Sequence, residues 1–188
     1  RFFSAGQAKK FTDHIVTASR HIIFWSIPAI FLFVVLRAQI VRVVLGSGRF
    51  GWDDTRLTAA ALALFVVSIL AQALVILFVR GYYAAGITRR PLIINMVSSI
   101  LIVAFAFFLV NLFTTSDVFR YFVESLLRIE DIPNTTIIML PLAYSLGMLI
   151  NLIILWQSFR RDFKEFYVPI KETFFHSVVA SFFMAFTT

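Results

Sequence analysis

Cationic side chains within the apolar segments of this sequence are the residues best suited to act on a charged ligand. Arg37 lies roughly 15 residues, or about 22 Å of helix, into the first apolar segment. A guanidinium at that depth is costly unless it faces water or a partner. One interpretation is a cation that meets a phosphate in a water-filled pathway. The interpretation we favour is that Arg37 and Arg42 extend to the outer lipid headgroups.

Other polar side chains could also line a pathway. Gln72 and Asn151 lie inside later apolar segments, where we favour hydrogen bonds between helices over a pathway role. The arginines of the loop at 80–90 most simply mark the cytoplasmic side, and the alternative is that they attract anionic lipid headgroups. The substrate-pathway candidates are Arg37, Gln39, Gln72, Arg80, Arg89, Arg90 and Asn151.

The sequence contains no pattern of residues typical of catalysis. Its three histidines have no serine or aspartate at a spacing that builds a triad, and no metalloprotease, phosphate-loop or dinucleotide motif is present. Asp53 and Asp54 are adjacent and point to different faces of a regular element, so we favour a solvated outer loop over a metal site. There is no cysteine. We predict no enzyme, no catalytic residue, no metal site and no cofactor.

The composition indicates a membrane protein. Hydrophobic residues make up 60% of the chain and charged residues 14%, whereas soluble domains carry about 25% charged residues. The net charge of +7 comes from Lys and Arg in short loops between apolar blocks, which favours a role in membrane orientation over nucleic-acid binding. We therefore predict an all-α polytopic membrane protein.

The apolar blocks define the predicted elements. Residues 1–20 have amphipathic spacing and predict a cytoplasmic interfacial linker, and residues 21–188 form the transmembrane portion. The chain starts without Met and stops inside an apolar run, so we expect a portion of a longer protein with four complete spans and a truncated fifth. The predicted spans cover 21–46, 57–79, 91–113, 137–156 and 173–188, and a surface helix covers 116–132.

Two further expectations concern the surface helix and the orientation of the chain. An apolar stripe on 116–132 lies opposite Arg120, Glu124 and Arg128, which predicts ion pairs on a solvated face and an end at Pro133. The successive segments outside the spans hold four, two, three, two and four Lys and Arg residues. Because positive charge concentrates on the cytoplasmic side, this alternation places residue 1 in the cytoplasm.

A stretch between residues 28 and 91 resembles the MurJ (MviN) lipid II flippases of the multidrug/oligosaccharidyl-lipid/polysaccharide exporter superfamily. Its clearest part is Tyr82-Tyr83-Ala84 followed by Thr88-Arg89-Arg90-Pro91, where Ile87 replaces the aspartate of the family turn. Looser similarity extends over most of the chain. The residues that match the family pattern and are expected to be structural are Pro28, Gly48, Phe50, Asp54, Thr55, Tyr83, Ala84 and Pro91.

The resemblance implies a C-terminal-lobe portion of a flippase in the bacterial inner membrane. Such a protein moves an undecaprenyl-pyrophosphate-linked peptidoglycan precursor by alternating access between two lobes. Its implied partners are this precursor, membrane lipids and proteins of cell-wall synthesis. Two alternatives remain open from the sequence: an exporter of another lipid-linked saccharide, and a membrane scaffold of the same fold that does not transport.

Overall fold

The protein is a bundle of long α-helices. The computed structural model describes residues 8–48 and 50–163, and the predicted fifth span at 173–188 lies outside these ranges. No strand occurs in the described part of the chain. The helices are α1 (Ala8–Val35), α2 (Arg37–Leu45), α3 (Trp52–Ala84), α4 (Arg89–Thr115), α5 (Asp117–Leu127) and α6 (Met139–Asp162), with a 3₁₀ turn at Thr135–Ile138 before α6.

Four of these elements are long and apolar enough to cross a membrane: Lys9–Val35, Trp52–Ala84, Arg89–Thr115 and Thr135–Asp162. The prediction of an all-α polytopic protein with four complete spans is confirmed. The three later elements are longer than the apolar blocks that predicted them, because the residues that flank each block continue the helix.

The first span differs from its predicted boundaries. The helix α1 runs without a break through the predicted boundary at residue 20 and contains Pro28, because the buried face that begins at Phe11 and Ile15 continues to Ile23 and Ile27. It ends where the apolar run ends. Leu36, with φ −89° and ψ 10°, separates it from α2, so the predicted 21–46 span is two helices.

Packing is organised around α6, which contacts both α3 and α4, while α1 packs on α3. Small residues let the helices approach closely, as is typical of membrane bundles. A Cβ placed on Gly81 would lie 3.1 Å from the Phe159 ring, for example. Around this contact the Phe159 ring lies 5.2 Å, centroid to centroid, from the ring of Phe78 and from that of Tyr82, which fixes α6 against α3.

The start of α3 is set by Gly51, several residues before the predicted start at residue 57. The backbone N–H of Gly51 donates to Asp54 Oδ2 at 2.9 Å, and the Thr55 hydroxyl donates to the Gly51 carbonyl at 2.9 Å. Asp53 and Asp54 lie in the first turn, where negative charge is favoured by the helix dipole.

The surface helix is shorter than predicted, since α5 ends at Leu127 and not at Pro133. Arg128 adopts a left-handed conformation with φ 59°, and the N–H of Ile129 donates back to the Glu124 carbonyl at 3.0 Å, which is a Schellman-type ending. Ile129, which follows the turn, is buried, and its burial stabilises the end of α5 at this position.

The prediction of a solvated ion-pair stripe on this helix is wrong for Glu124. That side chain is only 7% exposed and accepts a hydrogen bond from the Thr135 hydroxyl at 2.6 Å. Arg120 pairs instead with Asp117 at 3.1 Å. The Thr135–Ile138 turn folds over this side of α5, so spacing along one helix could not reveal the contact.

Candidate functional site

A network of polar side chains joins α3, α4 and α6 at one end of the bundle, which we call the Arg90 end. The buried Tyr82 hydroxyl donates to Asp162 Oδ2 at 2.9 Å and lies 3.0 Å from Ser158 Oγ. The guanidinium of Arg90 forms an ion pair with the same carboxylate. Asp162 therefore receives hydrogen bonds from two helices at once, and this holds the three helix ends together.

A polar cavity of about 520 Å³ opens beside this network. Arg161 and Gln157 contribute exposed donors to it, and Arg90 and Ser158 complete the polar wall. The Arg161 guanidinium, the Gln157 amide and the Ser158 hydroxyl are donors suited to a phosphate-type anion, and they lie beside the Arg90–Asp162 ion pair. The full lining is Arg90, Ile154, Gln157, Ser158, Arg161 and Asp162.

An apolar cavity of about 410 Å³ lies on the other side of Gln157, between α1, α3 and α6. Leu70, Leu152 and Trp156 form much of its wall. Its polar lining residues are Gln157 and Arg160. The two cavities share Gln157, so a polar, arginine-lined cavity adjoins a groove of hydrocarbon character. That combination suits a ligand with a charged headgroup and an apolar chain.

The midplane amides take part in contacts between or within helices. Asn151 is buried and its amide donates to Asn95 Oδ1 on α4 at 3.1 Å, so the expected hydrogen bond between helices is present. Gln72 donates instead to Ser68 Oγ at 2.8 Å. Ser68 lies one turn before Gln72 on the same helix, so within residues 8–48 and 50–163 the expected partner of Gln72 on another helix is not observed.

The remaining pathway candidates are dispersed. Arg37 begins α2 and is half-buried, and Gln39 is exposed. Arg80 and Arg89 are exposed at the Arg90 end. The guanidinium of Arg42 lies 5.5 Å from the Trp52 ring centroid, a cation–π contact of the kind found at membrane interfaces.

The predicted structural residues have identifiable places. Gly48 has φ +66°, a conformation that favours glycine, and Phe50 follows in the same connection. Asp54 caps α3 and Thr55 is buried beside it. The other positions are Pro28 inside α1, Tyr83 and Ala84 at the end of α3, and Pro91 buried in the first turn of α4.

Sequence reasoning missed the residues that join the helices at the Arg90 end. It singled out Tyr83, which is exposed, whereas its buried neighbour Tyr82 makes the network. Asp162 and Ser158 were outside the predicted fourth span, which ended at residue 156. The available signal was the position of Asp162, an acidic residue directly after Arg160 and Arg161 at the end of an apolar block.

At the opposite end of the bundle, Arg56 holds the segment that follows α5. Its guanidinium contacts both carboxylate oxygens of Asp131 at 2.8 and 2.9 Å and also donates to the Arg128 carbonyl. The hydrogen bonds from Arg56 lower the pKa of the Asp131 carboxyl from its ordinary value. In the sequence, Arg56 was counted only among the basic residues that indicate the orientation of the chain in the membrane.

These features define a polytopic α-helical membrane protein with an arginine-lined polar cavity beside an apolar groove. Comparison with protein families gives the particular class. Residues 1–188 match the family described as Lipid II flippase MurJ, and the chain therefore belongs to the MurJ lipid II flippase family. It is a multi-pass protein of the bacterial inner membrane that moves lipid II in peptidoglycan synthesis, and it is a transporter and not an enzyme. No curated protein and no solved structure matches the chain.

Proposed function

We propose that the Arg90 end of the bundle receives lipid II on the cytoplasmic side. The observation that carries this proposal is the adjacency of the two cavities at Gln157. The pyrophosphate would contact Arg161 and Arg90, and the polyprenyl chain would enter the apolar groove beside Trp156. The concentration of Lys and Arg in the loops at this end supports a cytoplasmic placement.

The described helices α3, α4 and α6 act as one body in this proposal. The Tyr82–Asp162–Arg90 network ties them at one end, and the Asn95–Asn151 hydrogen bond ties α4 to α6 nearer the membrane centre. Alternating access in repeat-built transporters is largely a rocking of such bodies around a central site. Gln72 and Asn151 then serve packing within the body and do not line the pathway.

The test is the binding of lipid II to the purified protein. Arg161→Ala should weaken binding about tenfold or more, since a charge-assisted contact to phosphate is lost. Arg161→Lys should restore only part of it, because the guanidinium fork is absent. Arg80→Ala is the matched control, as Arg80 is exposed and lines neither cavity. Equal losses for Arg161→Ala and Arg80→Ala would refute a specific site.

We also propose that proteins of cell-wall synthesis are partners of this chain. A flippase receives its substrate from an enzyme on one side and delivers it to an enzyme on the other. The apolar outer face of α4, which includes the exposed Ile100 and Phe107, supports contact with lipid or another helix. Site-specific crosslinking from position 100 in cells, with position 137 as the exposed control, would test for such a partner.

A further inference from the structure

A second polar cavity, of about 460 Å³, lies at the end of the bundle opposite Arg90, between α5 and the segment before α6. Its size falls within the roughly 300–1,000 Å³ of small-molecule sites and is too large for a single bound ion. Carboxylates of Glu124 and Glu130 line it together with hydroxyls of Thr114, Tyr121 and Thr135. The cavity is separate from the two described above and shares no residue with them.

The unusual group in this cavity is the Glu124 carboxylate. The residue is 7% exposed, and one of its oxygens accepts from the neutral Thr135 hydroxyl. Its other oxygen has no hydrogen-bond donor among residues 8–48 and 50–163, and it is not a buried atom, since the buried side-chain oxygens without a partner in this part of the chain belong to Ser98 and Asn151. The free Glu124 oxygen is therefore accessible at the cavity that the residue lines. A carboxylate on a largely buried residue is stabilised when a cation pairs with it.

The nearby arginine does not supply this partner. Arg120 is one turn before Glu124 on α5, but its guanidinium pairs with Asp117 and lies 5.2 Å from the Tyr121 ring centroid. The exposed Glu130 adds a second carboxylate to the cavity wall. The lining thus holds two carboxylates against one guanidinium that is already paired, and its charge favours a cationic ligand.

The surroundings of the cavity place it at the level of lipid headgroups. Val118, Phe122 and Leu126 recur every fourth residue on α5 and are 82%, 64% and 66% exposed. An outward apolar stripe on a short helix with a charged opposite side is typical of helices that lie in a membrane interface. Amphiphiles in that interface can therefore reach the cavity with their polar groups.

We propose that this cavity binds a primary ammonium group through Glu124 and Glu130, with the Thr135 hydroxyl fixing the orientation of the buried carboxylate. Two sources carry this chemistry at the membrane surface: the ethanolamine headgroup of a phospholipid, and a free amino group on the peptide of the lipid-linked precursor. The second source rests on the lipid II function, and the first does not. The ammonium would donate to the unoccupied Glu124 oxygen and compensate its charge.

The experiment measures lipid binding to the purified protein in detergent by native mass spectrometry. The probes are phosphatidylethanolamine, the same lipid with its amine acetylated, phosphatidylglycerol, and lipid II with a free or acetylated peptide amine. We expect tighter binding of at least one free-amine probe than of its acetylated form, by about tenfold, the effect of one charge-assisted hydrogen bond. The pair of probes that shows the preference, phosphatidylethanolamine or lipid II with their acetylated forms, identifies which amine the cavity binds.

Glu124→Gln should abolish the preference for the free amine and leave phosphatidylglycerol binding unchanged. Asp53→Asn is the matched control, because Asp53 is an acid near the same end of the bundle that does not line the cavity. If Glu124→Gln fails to accumulate, Glu130→Gln at the exposed position should reduce the preference. Equal binding of every free and acetylated pair by the wild type, or a preference that survives in the Glu124 or Glu130 variant that accumulates, would overturn the proposal.

Discussion

Gly147 on α6 lies directly against Ile102 on α4. A Cβ placed on Gly147 would stand 2.2 Å from Ile102 Cγ1, well inside van der Waals contact. The absence of a side chain at this position is what allows the two helices to pack, as in other membrane bundles where small residues permit close approach.

Gly147→Ala should therefore destabilise the protein by about 1–3 kcal/mol through overpacking. The free energy of unfolding in mixed detergent micelles measures this. Adding Ile102→Ala to Gly147→Ala should recover much of the loss, since the clashing atoms are removed, and the double-mutant cycle isolates the contact. Strictly additive effects of the two changes would show that Gly147 is small for another reason.

Tyr82→Phe should destabilise the Arg90 end by about 1–3 kcal/mol, because a buried hydrogen bond to a carboxylate is lost. The neighbouring Tyr83→Phe is the control, and its effect should stay within about 0.5 kcal/mol since Tyr83 is exposed. Thermal unfolding of both variants in the same detergent makes the comparison. Similar losses for the two tyrosines would contradict the role of the Tyr82–Asp162 contact.

The orientation of the chain in the membrane can be measured by labelling two exposed positions. Because the chain has no native cysteine, Thr88→Cys and Ser47→Cys give single reactive thiols at opposite ends of the bundle. In intact cells an impermeant maleimide should label position 47, and it should label position 88 only after the cells are permeabilised. The opposite pattern would invert the proposed topology and would move the Arg90 end to the outside.

The contact between Arg56 and Asp131 should make the segment after α5 sensitive to acid. Since hydrogen bonds from Arg56 lower the Asp131 pKa below its ordinary 3.8, the stabilisation is present above that value. It is lost as pH falls through the lower pKa of the folded state. The protection factors of residues 129–132 in hydrogen exchange should fall in that range, and Asp131→Asn should show low protection of these residues at neutral pH as well. Identical exchange in the wild type and Asp131→Asn at neutral pH would contradict a stabilising contact.

The number and nature of the spans could be predicted because apolar length is a local property of the sequence. The break at Leu36 could not, since the residues that follow the apolar run, beginning with Arg37, are helix-compatible and no Gly or Pro stands at this point. Glu124 shows a second limit. Its spacing from Arg120 and Arg128 satisfied the rule for helical ion pairs, but a turn eleven residues later supplied its partner.

The same distinction applies to the candidate site. The arginine-rich loops were recognisable from composition, and the Asn151 contact from the cost of an amide in hydrocarbon. The choice of Tyr82 over Tyr83 depends on which side of α3 faces α6, and that is decided by packing against Phe159. The two cavities that share Gln157 arise only when three helices converge, so no single segment contains a signal for them.

The central claim is that this protein moves lipid II and that its Arg90 end receives the headgroup. The most direct measurement uses cells whose own flippase is depleted and which express the full product of this protein's gene. It determines the fraction of lipid II that is accessible at the outer surface of these cells. We predict that the wild type and Arg80→Ala restore outward lipid II, whereas Arg161→Ala at equal membrane abundance restores about tenfold less or none. Failure of the wild type to restore it, or full restoration by Arg161→Ala, would contradict the account.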